Sequence, residues 1–115
     1  MRSRSAEHDD RGSVTAEFAV ALPAIALVLA ACLGSVQLVA QQVRLTDAAA
    51  DAARALGRGE TSSVAHSIAD RVAGTADMAV AEDETFVCVT LGANGGGLLA
   101  AVRLSAESCA VTGGR

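Results

Sequence analysis

The feature that most constrains this chain is a run of 26 residues without a formal charge, residues 18–43. Its first part, FAVALPAIALVLAACL, is apolar at nearly every position. A helix needs about 20 such residues to cross the hydrocarbon core of a bilayer. The rest of the chain offers too little apolar surface to enclose this helix on every side. The run therefore predicts a transmembrane helix, which we place within residues 13–43.

Residues 1–12 form a hydrophilic leader ahead of this helix. The leader contains three arginines, Arg2, Arg4 and Arg11, and three acidic residues, but acidic residues count little in membrane topology. The arginines predict a cytoplasmic amino terminus and a single crossing of the cytoplasmic membrane, with the carboxyl terminus on the extracytoplasmic side. The net charge of -4 argues against nucleic acid as a partner, because phosphate contacts need a basic face.

Glu17 lies directly before the apolar run, where a carboxylate at bilayer depth costs roughly 2.5 to 3.5 kcal/mol. If the chain is cut after Gly12, Ser13 becomes the first residue and Glu17 the fifth. The new amino group on Ser13 is largely protonated at neutral pH. In a bundle of such helices, the Glu17 carboxylate of one chain can neutralise the Ser13 ammonium of its neighbour and fix the registry. The alternative is that Glu17 is only an interfacial residue at the membrane edge.

This pattern resembles the leader of type IV pilin-like subunits, in which a prepilin peptidase cuts after a glycine and a glutamate at the fifth mature position precedes an apolar helix. The stretch GSVTAEFAVALP is similar, more narrowly, to the TadE-like minor pilins of the Tad/Flp (tight adherence) system. The segments QLVAQQVRLTDAAADAARALGRGE and LSAESCAVTGGR resemble the short members of that family from actinobacteria. Ordinary type IV pilins usually carry an aromatic residue after the cut, whereas Ser13 fits the TadE kind.

The resemblance implies a non-enzymatic minor pilin or pseudopilin for Tad/Flp-type pilus assembly, processed by prepilin peptidase between Gly12 and Ser13. It implies, as partners, the prepilin peptidase, the Tad platform proteins, the major pilin and other minor pilins, all at the cytoplasmic membrane. The pilus or cell surface is a further location. Neither the resemblance nor any motif calls for a cofactor, a metal or a small-molecule substrate.

Two alternatives stay open at this point. The residues LAAC at 29–32 resemble the lipobox of bacterial lipoproteins, which would place the cut before Cys32 and make the protein a lipoprotein with a small binding head. Against this interpretation, the leader carries no net basic charge and the apolar pattern continues past Cys32. The other alternative is a single-pass membrane protein of unrelated role. Pro23, inside the apolar run, predicts a kink in the helix.

Residues 44–59 continue the same helix as an amphipathic extension that ends at Gly57 and Gly59. The apolar residues of this extension recur at helical spacing: Leu45, Ala48, Ala49, Ala52 and Leu56. Residues 60–115 form a small extracytoplasmic head. There, Ser62 or Ser63 is expected to cap a second short helix that Gly74 closes.

After Asp77 the sequence is rich in valine and threonine, and apolar and polar residues alternate over short stretches. This pattern predicts three or four strands, in MAVA, TFVCVTL, LLAAVRL and SCAVT. GANGGG, at residues 92–97, is the predicted hairpin loop. The predicted fold class is α+β: a long pilin-like helix, a short second helix and a small antiparallel β head. Cys88 and Cys109 both fall in strands outside the membrane, where oxidation is possible. We therefore predict a disulfide between them, with Cys32 unpaired in the membrane.

His66 and Asp70 stand four residues apart on the second helix and form the arrangement closest to a catalytic dyad. No motif places a nucleophile beside them, so a solvated ion pair is the preferred interpretation. The GANGGG loop lacks the Lys-Ser/Thr that follows a phosphate loop. The sequence therefore predicts that the protein is not an enzyme.

Overall fold

The computed structural model describes the backbone of residues 2–113 and the side chains of residues 12–113. The elements follow in the order α1 (Arg2–Gly57), α2 (Ser62–Ala73), β1 (Asp77–Glu82), β2 (Phe86–Asn94), a short 3₁₀ helix (Gly97–Leu99) and β3 (Arg103–Val111). The chain divides into two compact units, of which the first ends at Val36 and the second begins at Gln37. The predicted α+β class is confirmed.

The first unit contains the apolar part of α1. Every described side chain from Gly12 to Val36 is exposed except at Gly34, which is half-buried. These exposed residues include Phe18, which is 64% exposed, and Val20, which is 76% exposed. α1 is long and apolar enough to cross a membrane, and its most apolar stretch is not buried within the chain. An apolar helix that its own chain leaves uncovered needs an apolar solvent or other helices around it.

α1 begins at Arg2, well before the start near Val14 that the sequence predicts, and it continues through Pro23. The earlier start has a simple reason: residues 2–12 contain no proline, and one glycine costs a helix only about 1 kcal/mol. Pro23 lacks a backbone N–H but does not end the helix. In a membrane, neighbouring helices can satisfy the carbonyl that this missing N–H leaves without a donor. A kink at Pro23 stays a prediction.

α1 ends in a hydrogen-bonded cap built around Gly59. The N–H of Gly59 donates to the carbonyl of Leu56 at 2.9 Å, and the N–H of Glu60 donates to the carbonyl of Ala55 at 3.1 Å. Gly59 adopts a φ of 88°, the left-handed conformation that such a cap requires. The predicted end of the helix is therefore confirmed, with Gly57 as the last helical residue and Gly59 as the cap.

The three strands form an antiparallel sheet in the order β1-β2-β3. Alternate residues of the central strand, Val87, Val89, Leu91 and Ala93, are buried, so one face of β2 supplies the core. The core cluster joins this face to α1, α2 and Ala106 of β3. The helical contribution consists of one leucine and six alanines: Leu45, Ala48, Ala49, Ala52, Ala53, Ala65 and Ala69.

This core explains how a head with so few aromatic residues is packed. Ala48, Ala49 and Ala52 are completely buried, although alanine has the smallest apolar side chain. Val89 and Leu91 of β2 are also completely buried in this cluster, so the small helical side chains are enough to cover the larger ones of the strand. The predicted apolar face of residues 44–56 is confirmed, and it is the face that covers the sheet.

Two details of the head differ from the sequence prediction. The N-cap of α2 is Thr61, one residue before the predicted Ser62 or Ser63, because its hydroxyl accepts a hydrogen bond from the N–H of Val64 at 3.4 Å. The segment LLAAVRL does not form a strand of its own. Its first two leucines belong to the 3₁₀ helix, and only its last two residues, Arg103 and Leu104, lie in a strand, β3, so the sheet has three strands. Gly92 to Asn94, predicted as loop, belong to β2.

Gly57 provides a test of how tightly the head is packed. A Cβ at this position would lie 2.9 Å from the carbonyl oxygen of Val111 and 3.3 Å from the Cβ of Ala110. We expect Gly57→Ala to lower the free energy of unfolding of the head by about 1 to 3 kcal/mol, because α1 and β3 must separate. Pulse proteolysis of the detergent-solubilised chain in increasing urea measures the change.

Gly96→Ala is the matched control, since a Cβ there meets nothing within 4 Å and its φ of -83° suits any residue. The control should leave the urea midpoint where it is. Equal midpoints for the two variants would show that the contact between α1 and β3 is not tight.

Candidate functional site

The first candidate site is the segment of α1 that contains Gly12, Ser13 and Glu17. Ser13 and Glu17 are four residues apart in a continuous helix, so their side chains lie on the same face. Both side chains are exposed. Among residues 12–113, no side chain forms a salt bridge with Glu17. The described part of the chain therefore supplies no cation to neutralise this carboxylate.

Glu17 lies in a shallow, open groove between neighbouring side chains on one face of α1. The groove is lined by small and apolar residues and by one carboxylate: Ser13, Ala16, Glu17, Val20, Ala21 and Ala24. Small side chains on a membrane helix allow a second helix to approach closely. The groove thus combines a surface suited to helix packing with one negative charge.

The peptide bond between Gly12 and Ser13 lies inside α1. A peptidase acts on an extended backbone, so this part of the helix must unwind before it can be cut. Glycine lowers the cost of unwinding, because it is a poor helix former. A Cβ at Gly12 would meet nothing within 4 Å, so this chain itself has room for a larger residue there. Any requirement for glycine at this position must come from the peptidase.

Cys32 is exposed and is not part of a disulfide. It lies in the middle of α1, with helix on both sides, and not at the start of a flexible segment. The surroundings of Cys32 are thus those of a small apolar residue in a membrane helix, as the preferred interpretation of the sequence has it.

The second candidate site is the sheet face that points away from the helices, which contains the disulfide. Cys88 and Cys109 are directly opposite each other in β2 and β3, and the structure contains the predicted bond between them. Their Cα atoms are 4.0 Å apart, a close approach that lies within reach of a disulfide. The disulfide therefore links the central strand to the edge strand β3.

The same sheet face also contains a polar network. Arg103 of β3 reaches across β2 and donates to the carboxylate of Asp77 in β1 at 2.9 Å. Its guanidinium crosses over Gly92, where any Cβ would collide with it. Thr90 donates to Glu107 at 3.1 Å. The three strands are thus tied together by side chains on the face that the helices do not cover.

Cys88, Glu107 and Cys109 place one oxygen and two sulfur atoms within 4.8 Å of one another. Three such groups are the minimum for a metal site. Because the two sulfurs are bonded to each other, neither is a thiolate, and only the carboxylate of Glu107 is left as a ligand. In this oxidised form the cluster is a structural link and not a metal centre.

Asp83 organises the turn between β1 and β2. Its carboxylate accepts hydrogen bonds from the N–H of Phe86 at 2.6 Å and from the N–H of Thr85 at 2.8 Å. These two bonds, with Phe86 the stronger cause, hold the pKa of Asp83 below its ordinary value, since they favour the charged form. Asp83 therefore fixes the turn between β1 and β2, which lies at the opposite end of β2 from the loop that joins β2 to β3.

His66 and Asp70 form an ion pair on α2, with 3.4 Å between Nδ1 of His66 and Oδ2 of Asp70. Both side chains are about half exposed. The spacing and exposure are those of a solvated pair on one helix face, and such a pair adds little stability. The interpretation of these residues as a surface ion pair agrees with this geometry.

Sequence reasoning missed the role of Gln41 and Gln42, which it treated only as part of the uncharged run. The amide of Gln41 donates to the carbonyl of Asn94 at 3.0 Å, and the amide of Gln42 donates to the carbonyl of Ser105 at 2.9 Å. Both bonds fasten α1 to the sheet. Two adjacent amides at the end of an apolar run are the feature of the sequence that could have indicated this role. Their acceptors could not be identified from it, because they are more than 50 residues away along the chain.

The disulfide yields a test of head stability. Replacing both Cys88 and Cys109 by serine should lower the free energy of unfolding of the head by about 3 kcal/mol, because the bond closes a loop with a sequence separation of 21. Hydrogen exchange of the full chain in detergent, followed by mass spectrometry of peptides from β2 and β3, measures the change. Cys32→Ser serves as the control and should leave exchange unaltered. Equal protection in all three proteins would mean that the disulfide contributes nothing.

Comparison with known proteins gives two matches. Residues 12–54 match the sequence model of the family described as TadE-like protein. A protein of Mycobacterium tuberculosis (strain ATCC 25618 / H37Rv), described as apoptosis inhibitor Rv3655c, is 40% identical over 98 residues, which are 83% of this chain and 75% of that protein. No solved structure matches the chain significantly. The family match begins at Gly12 and covers almost all of α1 beyond that residue.

Proposed function

Because this chain belongs to the TadE-like family, a family of Tad pilus-associated membrane proteins, we propose that it is a minor pilin or pseudopilin that prepilin peptidase cuts after Gly12. The observation that carries the proposal is the exposed apolar helix with Glu17 at its cytoplasmic start. The uncovered length of this helix requires a membrane or a bundle of similar helices.

Cutting the chain after Gly12 changes the electrostatics of the helix start. The new terminus has an ammonium on Ser13, and the first four N–H groups of the shortened helix lose their intrahelical acceptors. Both changes make this end of the helix positive. Glu17 lies one helical turn away, in an otherwise apolar groove, and none of the described side chains neutralises it. The cut thus creates the positive charge that the carboxylate lacks.

In a bundle of subunits, the Glu17 carboxylate of one chain pairs with the Ser13 ammonium of the next. Each buried charge removes the desolvation penalty of the other, whereas an unpaired charge in lipid costs several kcal/mol. A shift of one turn would separate the two charges, so the pairing fixes the axial position of each helix. Ala16, Ala21 and Ala24 on the same surface leave room for the neighbouring helix to come close.

The partners in this proposal are the prepilin peptidase, the Tad platform proteins, the major pilin and other minor pilins. The amino terminus is cytoplasmic, and the head lies on the extracytoplasmic side of the cytoplasmic membrane, where the Cys88 to Cys109 disulfide is stable. The chemistry proposed for this protein is assembly and not turnover.

A second candidate function comes from the relative described as an apoptosis inhibitor. The similarity to that protein spans 98 residues, more than α1 contains, so it extends into the head. An inhibitory role would be carried by the head. A head surface variant that loses inhibition of apoptosis in host cells, while pili still form, would favour this function over the first.

Processing is tested by Gly12→Val. The peptidase must bring the peptide bond after residue 12 against its catalytic groups, so a branched side chain there should block the cut. Mass spectrometry of the protein from membranes should find the mature terminus at Ser13 in the parent and residues 1–12 retained in the variant. Gly34→Val, a similar change elsewhere in α1, should be processed normally.

If Gly12→Val is cut as the parent is, processing at this bond is refuted. A mature terminus at a lipidated Cys32 would instead establish the lipoprotein alternative.

Registry is tested by Glu17→Gln, which keeps the size of the side chain and removes its charge. The variant should be processed and inserted like the parent, but its incorporation into pili or into complexes with the major pilin should fall severalfold, because the Ser13 ammonium is left without a partner. Quantitative immunoblotting of sheared pili and of membrane complexes measures the loss.

Glu17→Asp is the control that keeps the charge, and it should retain more incorporation than Glu17→Gln. Normal incorporation of Glu17→Gln would leave Glu17 as an interfacial residue without a role in assembly.

A further inference from the structure

We propose that residues 95–102, which we call the Leu98 loop, rest in the lipid interface on the side of the membrane where the head lies. The head is then held against the bilayer by a second contact besides α1. This inference rests on α1 crossing a membrane and does not require assembly into a pilus.

The composition of the Leu98 loop is that of a lipid-contacting segment. Its sequence is GGGLLAAV, and no charged residue occurs between Gly92 and Val102. The side chain of Leu98 is fully exposed, with a relative accessibility of 104%. Ala100 and Ala101 are exposed as well. Moving a fully exposed leucine side chain from water into an apolar environment is favourable, and no charge in this loop opposes the transfer.

The exposure of Leu98 is fixed by the backbone of the loop. The N–H of Gly95 donates to the carbonyl of Val102 at 2.8 Å, which closes the loop. The N–H of Leu99 donates to the carbonyl of Gly96 at 3.0 Å, and the N–H of Ala100 donates to the carbonyl of Gly97 at 3.2 Å. Gly97 has a φ of 58°, a left-handed conformation that turns the chain just before Leu98. The loop therefore presents Leu98 outward in a defined conformation.

The position of the loop follows from the direction of α1 along the sheet. Gln41 contacts Asn94 at the start of the Leu98 loop, whereas the carbonyl of Gly57 accepts a hydrogen bond from Gly113, beyond the far end of β3. The Leu98 loop thus lies beside the part of α1 nearest the apolar run.

A span of about 20 residues that begins at Phe18 ends near Leu38. The residues beside the loop are therefore those that leave the bilayer.

A cavity of about 520 Å³ lies between α1 and the Leu98 loop. Its lining combines polar and apolar groups, as the lipid interface does. Gln37, Gln41 and Arg44 supply polar groups, while Leu38 and Leu99 supply apolar ones. Arg44 forms no salt bridge with any side chain among residues 12–113. A cation beside an apolar surface at this level can reach lipid phosphates while its stem lies along the apolar residues.

The charges of the head favour the same orientation. Glu82, Asp83 and Glu84 lie around the turn between β1 and β2, at the end of β2 opposite to the Leu98 loop. Anionic headgroups repel an acidic turn. The uncharged end of the sheet faces the lipid in this arrangement, and the acidic end points away from it.

Tryptophan fluorescence tests the proposal, because the chain has neither tryptophan nor tyrosine. Leu98→Trp introduces a single tryptophan at a side chain that contacts solvent only, so the fold should tolerate it. Glu84→Trp is the matched control in the opposite turn. Each full-length variant is reconstituted into phosphatidylcholine and phosphatidylglycerol vesicles, with and without lipids brominated on the acyl chains, and acrylamide serves as the aqueous quencher.

The proposal predicts that the tryptophan at position 98 emits at shorter wavelength than the one at position 84. It should be quenched by brominated lipids and protected from acrylamide, whereas the control should show the opposite pattern. Equal acrylamide quenching of the two variants, without quenching by brominated lipids, would overturn the proposal. Protection of position 98 from both quenchers, increasing with the ratio of protein to lipid, would also overturn it, since a second copy of the chain would then cover the loop.

Vesicle flotation separates failure of this inference from failure of its premise. A chain that floats with the vesicles while position 98 behaves as aqueous is anchored by α1 alone. A chain that does not float contradicts both the membrane-spanning helix and the loop contact. Circular dichroism matching that of the parent protein ensures that either variant reports on the folded head.

Discussion

The constraint on which the rest of this structure depends is that its longest helix cannot be buried by its own chain. From Gly12 to Val36, α1 is apolar around most of its circumference, and nearly every side chain there is exposed. In water such a surface would drive aggregation, so the helix needs lipid or neighbouring helices. The hydrocarbon core of a bilayer contains no water to hydrate an exposed carboxylate. Glu17 stands at the margin of this apolar stretch, and none of the described side chains forms a salt bridge with it.

The second half of α1 meets a different requirement with the same secondary structure. Beyond Arg44 the helix contacts protein on one face, and the residues on that face are mostly alanine. Alanine favours helix formation and allows close approach, but it buries little area, so the core of this head is thin. The disulfide and the bond from Arg103 to Asp77 lie on the opposite face of the sheet, where neither helix packs. The disulfide compensates for apolar contacts that a small alanine-rich core does not supply, whereas the exposed ion pair adds little stability.

The sequence predicts those features of the fold that depend on local chemistry. The apolar run, the glycines that end α1 and the faces of residues 44–56 follow from composition and period. The two cysteines that pair both lie in segments that the sequence predicts as strands. Local patterns misled for LLAAVRL, whose apolar residues suit a strand, because three preceding glycines and a backbone hydrogen bond across the loop turn the chain instead. The bonds of Gln41 and Gln42 depend on tertiary position, and no local pattern identifies their acceptors. For Gly12 and Glu17, the sequence identifies the chemistry, and the structure adds the helical spacing and the groove.

The transition between the two environments of α1 explains why amides are placed where they are. Between Val36 and Leu45 the helix changes from side chains that are exposed to a face that packs on the head, and this short interval contains Gln37, Gln41 and Gln42 but no acidic residue. A carboxylate near the headgroups would be repelled by lipid phosphates, and an aliphatic residue could not satisfy the open carbonyls of the sheet. An amide donates a hydrogen bond without a charge, so it suits both surroundings. Gln41 and Gln42 use this property to hold the end of β2 and the first part of β3 to the helix.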